Sequence, residues 1–223
     1  MPMTAPDYSL HFTPGHTFSY ESGVTGTMAT VGVGELSLPT GRVVACDPFV
    51  YLGSGDVEPF TAQVPPGRYR VEAAIATLAR PGEPAAARPH TRVAAARLVI
   101  RDVPAVTWEI ALQEGQDPAE LGEDEFYGYG VDAGTGCFYD PSADGAFPGT
   151  EEEEGPVWAA MEAAGDGPMM FLAEGRDGHN LAAFTSGWGD GAYPTWVGRD
   201  AAGEITCFLT DFFVVPTEDA RRA

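Results

Sequence analysis

The chain of 223 residues contains no lysine, and all twelve of its basic residues are arginine. Without lysine it cannot supply the phosphate-binding lysine of a P-loop or form a Schiff base with a carbonyl substrate. The segment from Asp102 to Glu174 has no basic residue of any kind. Because 33 Asp and Glu residues leave a net charge of -21, the chain repels phosphate backbones and anionic membranes. We therefore expect no nucleic-acid partner and no membrane partner.

Cysteine is also scarce, and the three residues Cys46, Cys137 and Cys207 form no CxxC pair. This pattern is typical of reduced thiols that pack as small hydrophobic side chains. The N-terminus has no basic and apolar stretch that resembles a secretory signal, and no apolar run approaches membrane-spanning length. The four histidines are scattered and match no metal motif. These absences predict a cytoplasmic protein.

The chain is rich in residues that form turns, with 28 glycines and 19 prolines. Short apolar or alternating segments lie between these turns, a pattern typical of β-strands. We predict an α+β, mostly β fold of antiparallel sheets, either sandwich-like or strongly bent, in one domain over residues 1–223. Residues 1–40 are predicted to be a loosely ordered segment packed on the body, with Gly23–Gly34 as a loop or weak strand. The strand candidates are residues 42–46, 69–78, 92–100, 106–112, 169–173, 181–186, 193–197 and 204–215, together with two strands and an intervening glycine turn within 127–139.

One main helix is predicted near residues 151–164. Thr150 and Glu153 match a capping box. In this motif the threonine side chain accepts a hydrogen bond from the backbone N–H of the glutamate three residues later, and the glutamate side chain accepts one from the backbone N–H of the threonine. Apolar residues fall on one helical face from Val157 to Ala164, and Gly165 provides a stop. The run of four glutamates at 151–154 then lies in the first turn, where the helix dipole favours negative charge.

Four aspartates lie beside glycines or at strand ends: Asp132, Asp140, Asp190 and Asp211. Glycine allows the backbone to approach a ligand closely, so these carboxylates are candidates for a divalent cation or for acid–base chemistry. The alternative is that each aspartate only stabilises its own turn. Asp211 interrupts an apolar strand, and we expect an ion pair with Arg92 or Arg97 to compensate for its burial.

The segment Ser186–Pro194 is the most unusual in composition, with glycines at 187, 189 and 191. Trp188 and Tyr193 offer aromatic rings that carry polar groups, which suits the rim of a small-molecule pocket. The alternative is a tight loop closed by aromatic packing. The sequence leaves both interpretations open.

Six segments in this order resemble a bacterial family known as domain of unknown function 4241, over roughly residues 41–213. They are Val44–Pro48, Val64–Tyr69, Arg92–Ala94, Val131–Gly136, Ser186–Pro194 and Asp211–Phe212. The resemblance implies a single domain in which the Asp/Gly loops are shared features. It implies no activity and no catalytic residues.

The charge and the absence of a catalytic motif favour a non-enzymatic acidic module that binds a basic protein partner, as an immunity-type protein would, or a small molecule. The alternative is a hydrolase that uses Asp132 and Asp190, with Asp140 or Asp211, to hold a divalent cation. No other cofactor is evident. A shared site requires Asp132, Asp190 and Asp211 to converge in space.

Overall fold

The computed structural model describes residues 1–82, 89–150, 153–165, 167 and 169–216. These residues form twelve β-strands and two α-helices. The strands are β1 (Thr17–Ser19), β2 (Thr25–Leu38), β3 (Val44–Cys46), β4 (Gly67–Ala79), β5 (His90–Val99), β6 (Thr107–Ile110), β7 (Gly128–Val131), β8 (Thr135–Tyr139), β9 (Met170–Glu174), β10 (Asn180–Thr185), β11 (Gly191–Arg199) and β12 (Ile205–Asp211). The helices are α1 (Pro48–Tyr51) and α2 (Gly155–Ala164), and short 3-10 turns cover Pro118–Glu120, Pro141–Ala146 and Arg176–Gly178.

The strands form two antiparallel sheets, which confirms the predicted fold class. The larger sheet is strongly curled and has the order β1-β2-β4-β5-β12-β11-β6, with β7 pairing the first half of β11. The smaller sheet has the order β3-β8-β10-β9. Strands β9 and β10 form a hairpin through residues 176–178, and β11 and β12 form one through 200–203.

The main core lies where both sheets bury alternate side chains. Leu98 and Phe208 come from the larger sheet, and Phe138 and Phe184 from the smaller one. Phe138 and Phe184 meet edge to face with ring centroids 5.1 Å apart. Cys137, the residue before Phe138 in β8, faces the opposite side and packs in a second cluster with residues of the helices. The smaller sheet is thus buried on both faces.

The N-terminal segment contains more regular structure than its sequence predicts. Strand β2 runs for 14 residues and pairs along its length with β4, where Gly23–Gly34 was predicted as a loop or weak strand. Glycines interrupt the apolar alternation on which the prediction depended. They have structural roles: a Cβ at Gly26 would lie 2.2 Å from the ring of Phe18, and Gly34 has φ +138° at a register shift.

The main helix begins later than the capping box predicts. Helix α2 starts at Gly155, and Glu153 has φ 58°, which no helical residue adopts. The Thr150 hydroxyl instead donates to the Phe147 carbonyl oxygen (3.0 Å). Residues 151 and 152 lie outside the described residues. The predicted end is confirmed, since the helix stops at Ala164 and Gly165 has φ 72°.

The two strands predicted within residues 127–139 exist, but they do not pair with each other. Strand β7 joins the larger sheet through β11, whereas β8 lies between β3 and β10 in the smaller sheet. The chain therefore crosses between sheets at Asp132–Gly134. None of the described helices is long and apolar enough to cross a membrane.

Candidate functional site

The predicted residues Asp132 and Asp190 lie in one group of loops, which we call the glycine-turn cluster: Asp47, Asp132–Gly134 and Ser186–Asp190. Asp47 is its centre and is completely buried. Its Oδ2 accepts hydrogen bonds from the backbone N–H groups of Asp132 (3.0 Å) and Ala133 (2.7 Å), and its Oδ1 accepts from Phe49 (3.0 Å). Burial raises the pKa of the Asp47 carboxyl, and the three donors oppose that rise.

The sequence analysis did not identify Asp47 as a candidate. The available signal was the pair Asp47-Pro48 directly after a strand, which is typical of an N-cap followed by proline at the first helical position. That signal predicts the bond to Phe49. It does not predict the two bonds to a turn that lies 85 and 86 residues further along the chain.

Asp190 joins the two glycine loops of the cluster. Its Oδ1 accepts a hydrogen bond from Gly134 N (3.1 Å), and Ser186 N donates to the Gly134 carbonyl oxygen (3.0 Å). The side chains of Asp132 and Asp190 are both exposed. The structure thus brings these two predicted loops together, with Asp190 as the residue that links them.

The loop of residues 186–190 is closed from within. The Tyr193 hydroxyl is buried within hydrogen-bonding distance of the carbonyl oxygens of Ser186 (3.1 Å) and Gly189 (2.8 Å). Gly187 has φ 54°, and a Cβ there would lie 2.7 Å from the Cβ of Phe212, so only glycine fits. Tyr193 therefore holds the loop in place, as the aromatic-packing interpretation predicts.

Trp188 lies on the open side of this loop and is half exposed. The Arg92 guanidinium is 5.4 Å from the centroid of its ring. A cavity of about 420 Å³ lies between residues 89–92 and 185–189, and Trp188 and Arg92 both line it. Trp188 thus lines a cavity, whereas Tyr193 does not line this one, and a small-molecule pocket here stays a prediction.

Asp140 lies apart from the cluster and stabilises a turn. It is completely buried and accepts hydrogen bonds from the backbone and hydroxyl groups of both Thr40 and Ser142, at 2.6 to 3.0 Å. It also caps the 3-10 turn that begins at Pro141. All four hydrogen bonds stabilise the local backbone around Thr40 and Ser142, and none involves the other candidate aspartates.

Asp211 lies on the outer face of the larger sheet, under the N-terminal segment. Its carboxylate accepts hydrogen bonds from the Tyr8 hydroxyl (2.9 Å) and from Phe213 N (2.9 Å). Burial raises the pKa of Asp211 to about 6. The predicted ion pair with Arg92 or Arg97 is wrong: Arg97 pairs with Glu72 at 2.6 Å, and Arg92 lies over Trp188.

The candidate aspartates therefore do not form one metal site. Among the described residues, no group of three or more His, Cys, Asp or Glu side chains is placed to hold a metal ion. The requirement that Asp132, Asp190 and Asp211 converge is not met, because Asp211 is bonded to Tyr8 on the outer face. The metal-dependent hydrolase stays a prediction without a gathered set of donors.

A second region, which the sequence analysis did not identify as a site, has a different character. It is an apolar groove of about 850 Å³ between β6, the N-terminal residues 2–5 and residues 118–126, and we call it the edge groove. Apolar side chains from all these parts line it, including Met3, Trp108, Ile110, Leu121 and Phe126. Two backbone hydrogen bonds, Met3 N to the Glu125 carbonyl and Asp124 N to the Met1 carbonyl, fix the N-terminal wall.

The outer edge of β6 faces this groove. All four of its residues, Thr107–Ile110, line the groove, although successive side chains of a strand point to opposite faces. Ala111 N donates to the Thr195 carbonyl oxygen of β11. Because hydrogen-bonded residues alternate in an antiparallel pair, Trp108 and Ile110 direct their backbone N–H and C=O groups away from β11. Among the described residues, no other strand pairs with this edge.

Trp196 also lines the edge groove, although only 3% of its surface is exposed. Its Nε1–H has no hydrogen-bond acceptor among the described residues. An indole nitrogen can only donate, so this group requires an oxygen or nitrogen acceptor to be satisfied. Buried donors without a partner are rare in folded proteins and require a specific explanation.

One wall of the groove belongs to a strongly acidic stretch, residues 114–125, which we call the acidic segment. Its six carboxylates are all exposed, and none forms an ion pair with a described basic residue: Glu114, Asp117, Glu120, Glu123, Asp124 and Glu125. The sequence indicates the charge of this stretch. It does not indicate that the stretch lies beside an apolar groove.

Comparison with known proteins places the chain in a family without a known activity. No curated protein and no solved structure is significantly similar to it. A family model described as "Protein of unknown function (DUF4241)" matches residues 36–210, which is most of the chain and agrees with the resemblance in its sequence. The chain therefore belongs to the DUF4241 family.

Proposed function

We propose that this protein is a non-enzymatic binding module that holds a positively charged segment of a partner protein at the edge groove. The observation that carries the proposal is the placement of six exposed, unpaired carboxylates beside an apolar groove of about 850 Å³. The binding of a basic toxin by the immunity-type protein that neutralises it is an example of such recognition. The three free, buried cysteines support a reducing compartment, the cytoplasm.

The two parts of the site have separate physical roles. Unpaired carboxylates on a surface of net charge -21 attract a basic partner over a distance and accelerate its association. The apolar groove contributes affinity once contact is made, because burying apolar surface is the main favourable term in association. Such binding is expected to weaken as salt screens the charges.

The test uses a fluorescently labelled octalysine peptide and measures its binding by fluorescence anisotropy. We expect affinity to fall by about tenfold or more between about 20 mM and about 300 mM NaCl. Neutralising five carboxylates of the acidic segment should weaken binding by a similar factor at low salt: Glu114→Gln, Asp117→Asn, Glu120→Gln, Glu123→Gln and Asp124→Asn.

A matched variant neutralises five exposed acidic residues elsewhere on the surface: Glu21→Gln, Glu162→Gln, Glu174→Gln, Asp177→Asn and Glu204→Gln. Both variants have the same net charge, so a difference between them reports position and not total charge. Equal losses in the two variants, or no binding of octalysine at low salt, would count against a partner site at the edge groove.

A small molecule is a second candidate ligand, and it is favoured by one specific observation. The cavity beside Trp188 combines an exposed indole ring with the cationic Arg92 guanidinium. This pairing suits a small aromatic anion, which can stack on the ring and pair with the cation. Tryptophan fluorescence during titration with benzoate and indole-3-acetate tests it, and a response that survives Trp188→Phe would exclude this cavity as its source.

A further inference from the structure

The backbone of β6 specifies how a partner segment would bind, and this inference rests on the function proposed above. We propose that the partner contributes an extended segment that adds to the larger sheet as a strand beside β6. The segment is basic on one face and mainly apolar on the other, with a hydrogen-bond acceptor on the apolar face. This mode of recognition takes its affinity from main-chain hydrogen bonds and its specificity from alternate side chains.

The main-chain part of the argument comes from the outer edge of β6. Trp108 and Ile110 together present two N–H and two C=O groups to the edge groove. An open strand edge is a template for pairing with another chain. The groove beside it is long enough for all four residues of β6 to line it, so the edge is accessible along its length.

The side chains on the two faces of β6 define what the added strand must carry. Side chains of an added strand lie beside those of β6 on the same face of the sheet. One face of β6 carries Trp108 and Ile110, which are half buried and apolar. The other face carries Thr107 and Glu109, which are exposed, and Glu109 is already paired with the Arg199 guanidinium (2.6 Å), which also lines the groove. Apolar residues therefore match the first face, whereas lysine or arginine on the second face would pair with the carboxylates of the acidic segment, which forms one wall of the groove.

The buried indole of Trp196 adds a polar requirement to the apolar face. Trp196 is the cross-strand neighbour of Ile110 in β11 and shares its face of the sheet. Its Nε1–H needs an acceptor, and the described residues do not provide one. A side-chain amide or hydroxyl at one groove-facing position of the partner segment would satisfy it.

The probe is the labelled heptapeptide Lys-Val-Lys-Gln-Lys-Val-Lys, which has this alternation and places glutamine at the centre of the groove-facing set. Two isomers carry three backbone N-methyl groups each, one on residues 2, 4 and 6 and the other on residues 3, 5 and 7. Because alternate N–H groups of a strand point to opposite edges, only one isomer blocks the hydrogen bonds to β6. We expect one isomer to bind about tenfold more weakly than the other.

The direction of the difference also gives the orientation of the segment. In an antiparallel addition, the groove-facing residues bond to Trp108 and Ile110, so methylation at 2, 4 and 6 is damaging. In a parallel addition, the flanking lysines bond to them, so methylation at 3, 5 and 7 is damaging. Equal affinities of the two isomers would overturn strand addition, while the unmethylated peptide still tests the acidic site. Failure of every lysine peptide to bind would instead remove the proposed function itself.

The role of Trp196 is tested by pairing Trp196→Phe with a peptide in which leucine replaces the glutamine. The ratio of the affinities of the two peptides should change by about fivefold in favour of leucine in the variant, because the glutamine loses its donor. The matched control is Trp188→Phe, which alters an indole outside the groove and should leave the ratio unchanged. An unchanged ratio in Trp196→Phe would exclude Trp196 as the donor, and in the wild type the indole N–H resonance of Trp196 should shift when the glutamine peptide binds.

Discussion

The glycine-turn cluster and the edge groove differ in whether their polar groups already have partners. In the cluster, Asp47 accepts three backbone hydrogen bonds, Asp190 accepts one, and Tyr193 closes its loop. In the groove, the outer edge of β6 pairs with no other described strand, and the Trp196 indole N–H has no acceptor among the described residues. The carboxylates of the acidic segment form no ion pair with a described basic residue. Conspicuous sequence motifs here hold the fold together, whereas the proposed partner site rests on groups that lack these partners.

The largest effect that would sharpen this comparison is expected from Asp47→Ala. The substitution removes a buried carboxylate and leaves the N–H groups of Phe49, Asp132 and Ala133 without their acceptor. Hydrogen bonds to a charged group contribute about 1.5–3 kcal/mol each and are not fully additive, so we expect a loss of about 3–5 kcal/mol in the free energy of unfolding. Urea denaturation at neutral pH measures it.

The matched control is Asp190→Ala, which removes one hydrogen bond from an exposed side chain in the same cluster. Its cost is expected to stay below about 1 kcal/mol. If Asp47→Ala cost no more than Asp190→Ala, Asp47 would not be the structural centre of the cluster, and its carboxylate would be available for another role.

The outer face of the larger sheet provides the next test, because burial shifts the pKa values of two ionisable groups there in opposite directions. His11 is buried, and its ring lies 5.2 Å from that of Tyr8, the residue bonded to Asp211. Burial, together with the nearby charge of His16, lowers the pKa of His11 to about 4, and the charge of Asp7 opposes this shift. Burial raises the pKa of Asp211 to about 6.

The two shifts have opposite effects on stability in nearly the same pH range. Asp211 contributes stability below its ordinary pKa of 3.8, and this contribution is lost as pH rises to about 6. His11 contributes stability above its ordinary pKa of 6.5, and this contribution is lost as pH falls to about 4. Each contribution is about 3 kcal/mol at 1.36 kcal/mol per pKa unit, so the two largely cancel.

Single substitutions should expose each contribution. Between about pH 6.5 and about pH 4, Asp211→Asn should lose about 3 kcal/mol of stability relative to wild type, because only His11 remains. His11→Phe should gain a similar amount relative to wild type over the same range. Guanidinium denaturation at several pH values measures both, and the double variant should have the pH dependence of the wild type. Parallel pH profiles in all four proteins would contradict the assignment.

The sequence predicts those parts of the fold whose signal is local. Strands β4, β5 and β9 to β11 are found within two residues of their predicted bounds because alternating apolar residues and turn residues mark them. Strand β12 instead ends at Asp211, four residues before the predicted end at 215. Strand β2 was missed because its glycines remove the alternation, and the helix start was wrong because Glu153 adopts a left-handed conformation.

The sites depend on contacts between distant segments, which no spacing rule contains. Asp47 and the turn at Asp132 are 85 residues apart, and Tyr8 and Asp211 are 203 apart. The edge groove requires the N-terminal residues, β6 and the acidic segment to meet. From the sequence, the acidic segment can be predicted as a charged loop, but the apolar surface beside it cannot.

The smallest expected effect tests whether the glycine-turn cluster is only structural. We expect Ca²⁺, Mg²⁺, Mn²⁺ and Zn²⁺ to produce no saturable heat in titration calorimetry and a change of less than about 1 °C in melting temperature, since a tight cation site needs several converging ligands. Asp132 and Asp190 are exposed, and Gly134 N already occupies one oxygen of Asp190. The part of the chain that the structure describes gathers no third donor there. Saturable binding that disappears in the double variant Asp132→Asn, Asp190→Asn would reverse the comparison, because the cluster would then contain a cation site. That result would support the metal-dependent hydrolase interpretation.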